Sequence, residues 1–169
     1  GTNIFAFQYK DINENIYVSY KTRLVPFLKN SKFGPFREMW EEILKNLDVS
    51  SLVKNLNMNL SFELWGNRNP HLIKYDASLE ASILFARKNG KVLPPSKIPV
   101  NTKLCAFRYE DVTKDIVDTY KNTQKTLDNQ LKESEEQYLG QEGEVWYLLT
   151  EDGTWNLYKC KPSTIEAIH

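Results

Sequence analysis

An α+β domain with antiparallel strands is what this sequence predicts, and three observations predict it. Aromatic and β-branched residues gather in short runs, turn-forming residues separate those runs, and the amphipathic helical stretches stand apart from them instead of alternating with them. The 169 residues suit one domain, residues 1–169, and 41% hydrophobic content with four Trp, nine Tyr and eight Phe argues for a packed core over disorder.

The elements follow in order. Ile4-Phe5-Ala6-Phe7-Gln8-Tyr9 and Ile16-Tyr17-Val18-Ser19-Tyr20 read as a hairpin turned at Asp11 to Asn15. After Gly34-Pro35, the apolar residues Phe36, Met39, Trp40, Ile43, Leu44 and Leu47 recur at helical spacing. Ser61 to Gly66 is a short strand ending in a Gly-Asn-Arg-Asn-Pro turn, and Leu72 to Tyr75 is another. Ser82 to Ala86 reads as a strand that returns through Asn89-Gly90 to Val92-Leu93, with a helix over Leu79 to Arg87 as the competing reading. Asp111 to Tyr138 holds no Gly or Pro and repeats Ile116, Tyr120, Leu127, Leu131 and Tyr138, which predicts a surface helix. Its Lys121, Lys125 and Lys132 are balanced by Asp118, Asp128 and Glu133, so it reads as a solvated covering element.

Glu144 to Leu149 and Trp155 to Lys161 close the chain as a hairpin at Asp152-Gly153. A two-residue turn there sets Thr150 opposite Trp155, Trp146 opposite Lys159 and Glu144 opposite Lys161. Glu142, Glu144, Trp146, Lys159 and Lys161 then share one face, and Val145, Tyr147, Leu149, Tyr158 and Cys160 the other, core-facing one. Two ammonium groups beside carboxylates suit a phosphate chain and a divalent ion; cross-strand ion pairs on a solvated face are the plainer reading.

Composition narrows the function. The 22 basic and 22 acidic side chains cancel, so a nucleic acid has to be held by a local basic patch. No run of about 18 apolar residues exists to span a membrane, and no signal-peptide pattern opens the chain. Cys105 and Cys160 form no disulfide framework or metal knuckle and read as reduced, and His71 reads as a loop histidine. An intracellular, cytoplasmic location is expected.

Several motifs occur in a telling order. Phe62-Glu63-Leu64-Trp65-Gly66-Asn67-Arg68-Asn69-Pro70 comes first, followed by Ile73 and Tyr75; then comes Glu142-Gly143-Glu144-Val145, and last Lys159-Cys160-Lys161. The series resembles the covalent nucleotidyltransferases, meaning ATP-dependent RNA and DNA ligases and mRNA capping enzymes, and is most similar to the RNA ligases. The likeness covers nearly the whole chain and implies a nucleotidyltransferase (ATP-grasp-like) domain of antiparallel sheets with flanking helices. The family's nucleophile, the lysine of Lys-x-Asp-Gly, is missing. Gly1-Thr2-Asn3-Ile4 looks like the end of that motif, which implies a lysine upstream of Gly1. Lys74-Tyr75-Asp76-Ala77 is a rival, but it would break the motif order.

The resemblance implies roles. Glu142 would hold Mg²⁺ or Mn²⁺, and Lys159 and Lys161 would contact the phosphates of ATP. Glu63 would accept a hydrogen bond from the ribose, and Arg23 would contact ribose or phosphate. Phe85 would stack on adenine, with Trp65 and Trp146 next in line. The implied activity is ligation of 5′-phosphate and 3′-hydroxyl ends through lysyl-AMP, with RNA favoured over DNA as the nucleic-acid partner. A non-catalytic nucleotide-binding module and a capping-type guanylyltransferase are the alternatives. The oligomeric state is left open.

Overall fold

The computed structural model describes residues 1–23, 28–30, 35–69, 77–105, 116–133 and 143–161. The chain divides into two compact units, Gly1–Asn69 with Ala77–Phe107, and Pro70–Asp76 with Arg108–His169. The α+β class holds. The strand expected at Leu72 to Tyr75, the rival Lys74, His71 and Glu142 lie outside the described residues, as do both ends of the helix expected over Asp111 to Tyr138.

The first unit is a five-stranded sheet with two helices. Its strands are β1 (Thr2–Lys10), β2 (Ile16–Lys21), β3 (Asn59–Trp65), β4 (Glu80–Lys88) and β5 (Lys91–Leu93), in the order β2-β1-β3-β4-β5 and antiparallel throughout. Alternation along the strands sends Ile4 and Ala6, then Leu60, Phe62 and Leu64, to one face, where all are fully buried. Helices α1 (Phe36–Leu44) and α2 (Val49–Leu56) cover that face with Met39, Trp40, Val49 and Val53. Trp40 sits edge-on between Tyr20 and Phe62, with ring centroids 5.4 and 5.3 Å away. Each such large side chain contributes about 1.5–3 kcal/mol on burial.

The helix ends are held by side chains. Pro35 stands at the N-cap of α1, and Asn30 accepts the amides of Arg37 and Glu38 in place of a local cap. α2, which the sequence reading passed over, is opened by Asp48, whose carboxylate accepts both the amide and the hydroxyl of Ser51. Those two bonds, the amide first, hold the Asp48 carboxyl below its ordinary range.

The competing helix over Leu79 to Arg87 is not formed; β4 runs through it. Ile83 pairs with Phe62 and Ala86 with Leu60, both facing the core although three residues apart, because the register shifts between Ser61 and Phe62. That shift gives a strand a helix-like apolar spacing. Asn89 (φ 53°) and Gly90 (φ 75°) form the expected two-residue turn.

The second unit contains α3 (Ile116–Glu133), β6 (Glu144–Leu149) and β7 (Trp155–Cys160). Here the expected register is overturned. The loop has three residues, Glu151-Asp152-Gly153: Gly153 N–H donates to Thr150 O at 3.0 Å, Thr150 N–H donates to Thr154 O at 2.9 Å, and Gly153 takes φ +82°. Asp152 fixes this shape by accepting from the Thr150 hydroxyl and the Thr154 amide. One extra loop residue slides the pairing, so Trp146 faces Tyr158, Val145 faces Lys159 and Glu144 faces Cys160. Lys159 therefore lies on the face of Val145 and Tyr147, not with Glu144 and Trp146. The set expected in the core is split between the faces: Val145 and Leu149, on one, are 36% and 59% exposed, while on the other Cys160 is buried as expected and Tyr158 is 54% exposed.

The first hairpin uses the same loop: Asp11 N–H donates to Asn15 O, Glu14 N–H donates to Asp11 O, and Glu14 takes φ 63°. A non-glycine residue there costs about 1–2 kcal/mol, part of which glycine's own chain entropy offsets. Glu14→Gly should raise unfolding free energy by about 0.5–1 kcal/mol and Gly153→Ala should lower it by about 1–2 kcal/mol; urea titrations read both. A depressed carboxyl stabilises the fold above its unfolded pKa, and that contribution fades as pH falls through the folded value. The stability gap between the parent chain and Asp48→Ala should accordingly narrow between pH 7 and pH 3 in thermal melts.

Candidate functional site on the second face of the sheet

Both helices of the first unit pack on one side of the sheet, and the other side carries the polar and aromatic set. Cross-strand pairing identifies its members. Asn3, Glu63 and Ser82 stand in one row across β1, β3 and β4, and Phe5, Ser61 and Phe85 in the next. Of the residues expected to touch nucleotide, Glu63 and Phe85 thus lie on one face of adjacent strands. Arg23 belongs to the same unit, exposed just past the end of β2. Lys159 and Lys161 belong to the second unit, and the metal carboxylate Glu142 is outside the described residues.

Hydrogen bonds make this face rigid around Glu63. Asn3 Nδ2 donates to Ser61 Oγ at 2.7 Å and to Phe62 O at 3.2 Å. Trp65 Nε1 donates to Ser82 Oγ at 2.9 Å, which holds the indole against the strand beside Glu63. The Glu63 side chain keeps 28% of its surface exposed and lies 3.9 Å from the amino nitrogen of Gly1. A Cβ at Gly1 would overlap that carboxylate, so the start of β1 and Glu63 are packed as closely as glycine allows. A carboxylate acceptor next to an aromatic ring on a firm sheet fits a ribose hydroxyl and a purine face.

The turn after β3 explains two further residues of the first motif. Gly66 adopts φ +126°, and a Cβ there would overlap the Ser78 carbonyl. Asn69 is buried and donates to Leu64 O at 2.8 Å and Thr2 Oγ1 at 3.1 Å, tying the turn to the first residues of β1. Arg68 reaches α1 instead, pairing with Glu42 at 2.7 Å on the surface. Asn69 is thus the part of this motif that holds the start of β1 beside Glu63, and Gly66 lets the turn pass against Ser78.

In the second unit α3 packs on the Trp146–Cys160 side of the hairpin. Tyr120 meets Trp146 edge-on at 5.6 Å, and Leu127 and Cys160 are buried. That contact places the Trp146 ring against α3. A Cβ at Gly143 would overlap the Cys160 carbonyl, so the Gly of Glu-Gly-x-Val is where the chain passes against the Lys-x-Lys segment. Gln124 Nε2 donates to Lys161 O at 3.0 Å, which fixes that segment to α3. Lys159 is exposed and Lys161 partly buried.

Sequence reading missed Asn3, Ser61 and Ser82. The alternation Asn3-x-Phe5-x-Phe7 carried a signal, since it sets a polar residue on the face opposite Ile4; the pairing of β1 with β3 that gives it meaning is not local.

Asn69→Ala should cost about 1–3 kcal/mol, because it leaves buried acceptors unpaired. Asn69→Asp should cost at least as much, since a carboxylate cannot donate to Leu64 O. Chemical denaturation of each variant measures this. Compared with protein-family models and with curated proteins, the sequence matches none.

Proposed function

We propose that the chain is the adenylylation domain of an ATP-dependent polynucleotide ligase, most like the RNA ligases. One observation supports this above the others. Glu63 and Phe85 share a sheet face, and the amino nitrogen of Gly1 lies 3.9 Å from the Glu63 carboxylate. A residue joined to Gly1 in the parent protein would start beside that carboxylate, where the motif order asks for the nucleophilic lysine.

On this reading the lysine amine attacks the α-phosphate of ATP and pyrophosphate leaves. The nucleotide then passes to a 5′-phosphate, and a 3′-hydroxyl displaces AMP. Glu63 accepts from the ribose and Phe85 stacks on the base. Arg23, Lys159 and Lys161 neutralise phosphate charge, and nearby cations favour the neutral amine that must attack. Glu142 is the carboxylate assigned to Mg²⁺ or Mn²⁺, which would offset charge on the phosphates.

The parent protein, including the residues before Gly1, should form an acid-stable adduct with α-labelled ATP and Mg²⁺ and none with GTP. The chain beginning at Gly1 should form none. In the parent, Glu63→Gln should slow adduct formation, and Lys161→Ala should slow it roughly 10- to 150-fold, the value of one charge-assisted contact. Lys125→Ala on α3 should change it less than about twofold. An adduct on the chain starting at Gly1 would move the nucleophile to Lys74. Adduct formation only with GTP would point to capping chemistry, and equal rates for Lys125→Ala and Lys161→Ala would remove the lysine pair from the site.

A further inference from the structure

The face that carries Glu63 continues outward along the first hairpin as a row of rings. Phe5, Phe7 and Tyr9 follow one another on β1, with centroids 6.3 and 6.2 Å apart, and Tyr17 on β2 adds a fourth ring 5.7 Å from Tyr9. Cross-strand pairing puts all four on the Glu63 side: Phe5 is paired with Ser61, and Tyr9 with Tyr17. Tyr9 and Tyr17 are 48% and 45% exposed. Rings of this size are usually turned inward, since each has much apolar area to hide.

β1 and β2 carry Lys10 and Lys21 and no carboxylate, and Arg23 follows, exposed. Of the strand lysines, Lys21 is paired with Phe5 and shares the face of the row, Lys10 lies on the opposite one, and Glu63 stands beside the row's inner end. Of the two acids in the connecting loop, Asp11 accepts the amides of Asn13 and Asn15 and the Tyr17 hydroxyl, and Glu14 sits at the tip. A row of rings, exposed at Tyr9 and Tyr17 and followed by Lys21 and Arg23, fits a polyanion with flat bases. An acidic or aliphatic protein segment would use one of these features and not the other.

We propose that the Phe5–Phe7–Tyr9–Tyr17 row is a stacking platform for single-stranded nucleic acid, with Lys21 and Arg23 meeting its phosphates. The proposal rests on the ligase reading for its direction. From Tyr9 to Asn3 the strand covers about 20 Å at roughly 3.3 Å per residue, so the row leads a bound strand towards Glu63.

The test uses the parent protein and fluorescein-labelled 12-nucleotide single strands of RNA and of DNA, read by anisotropy at fixed salt. Tyr9→Ala and Tyr17→Ala should each weaken binding roughly 5- to 100-fold, the loss expected per stacked base. Tyr9→Phe and Tyr17→Phe should bind as the parent does. Ile12→Ser, at a tip residue 97% exposed, should leave affinity unchanged. Adduct formation with ATP should be unaltered in all of them. On the unaltered protein, a bromouridine-containing strand should crosslink under ultraviolet light to peptides from Thr2 to Lys21. Binding indifferent to ring removal, sensitivity to Ile12→Ser equal to that of the tyrosines, or crosslinks confined elsewhere would overturn the platform; the second result would mark a general apolar docking surface for a protein. Ring-dependent binding without any adduct would uphold the platform and sink the ligase reading alone.

Discussion

The pairing of β1 with β3 is the constraint on which the first unit depends. It joins strands far apart in sequence in the register Asn3–Glu63, Ile4–Phe62. A slip of one residue would turn Phe62 outward and drive the Glu63 carboxylate into the packing beneath α1 and α2. The cost of burying an uncompensated carboxylate, with the loss of the Trp40–Phe62 contact, makes the register unambiguous. The same pairing sets the start of β1 against Glu63 and aligns the rings of β1 with the rest of that face. Packing on one side of the sheet thereby fixes the geometry of the other.

Much of this was legible locally. The first hairpin, α1, β3 and β4 announce themselves through alternation, helical spacing and turn residues; the motif order singles out Glu63, and Phe85 enters only through the aromatic that the resemblance implies. What escaped has physical reasons. Asp-Gly serves equally as a two-residue turn or as the end of a three-residue loop, because both need a left-handed glycine. Only the Asp152 side chain, tied to Thr150 and Thr154, decides between them, and the choice reversed the face of Lys159. α2 has only eight residues, with β-branched Val49 and Val53, so its formation owes more to the cap at Asp48 and to burial than to propensity.

The glycines and asparagines of the motifs also read differently once placed. Gly66, Gly143 and Asn69 allow or fasten close backbone approaches, and none has to touch a ligand to matter. Asn3, in contrast, borders Glu63 through a contact no local pattern reveals. A motif in this chain mixes residues that build a surface with residues that present themselves on it.

The distance in sequence between β1 and β3 has a consequence for how the chain is made. Asn3 and its partner Ser61 are 58 residues apart. During synthesis the first hairpin emerges complete, with Ile4 and Ala6 on one side, aromatic rings on the other, and the β1 edge unpaired. It has to persist in that state until α1, α2 and β3 have followed it. An exposed apolar edge of this kind is a template for pairing with another chain. The lysines at the ends of its two strands, and the left-handed Glu14 at its tip, supply charge to a segment that otherwise has every attribute of an aggregating strand. Recombinant yield should therefore depend on how quickly the residues from Thr22 to the end of β3 at Trp65 are delivered, a property of translation speed and chaperone supply as much as of final stability.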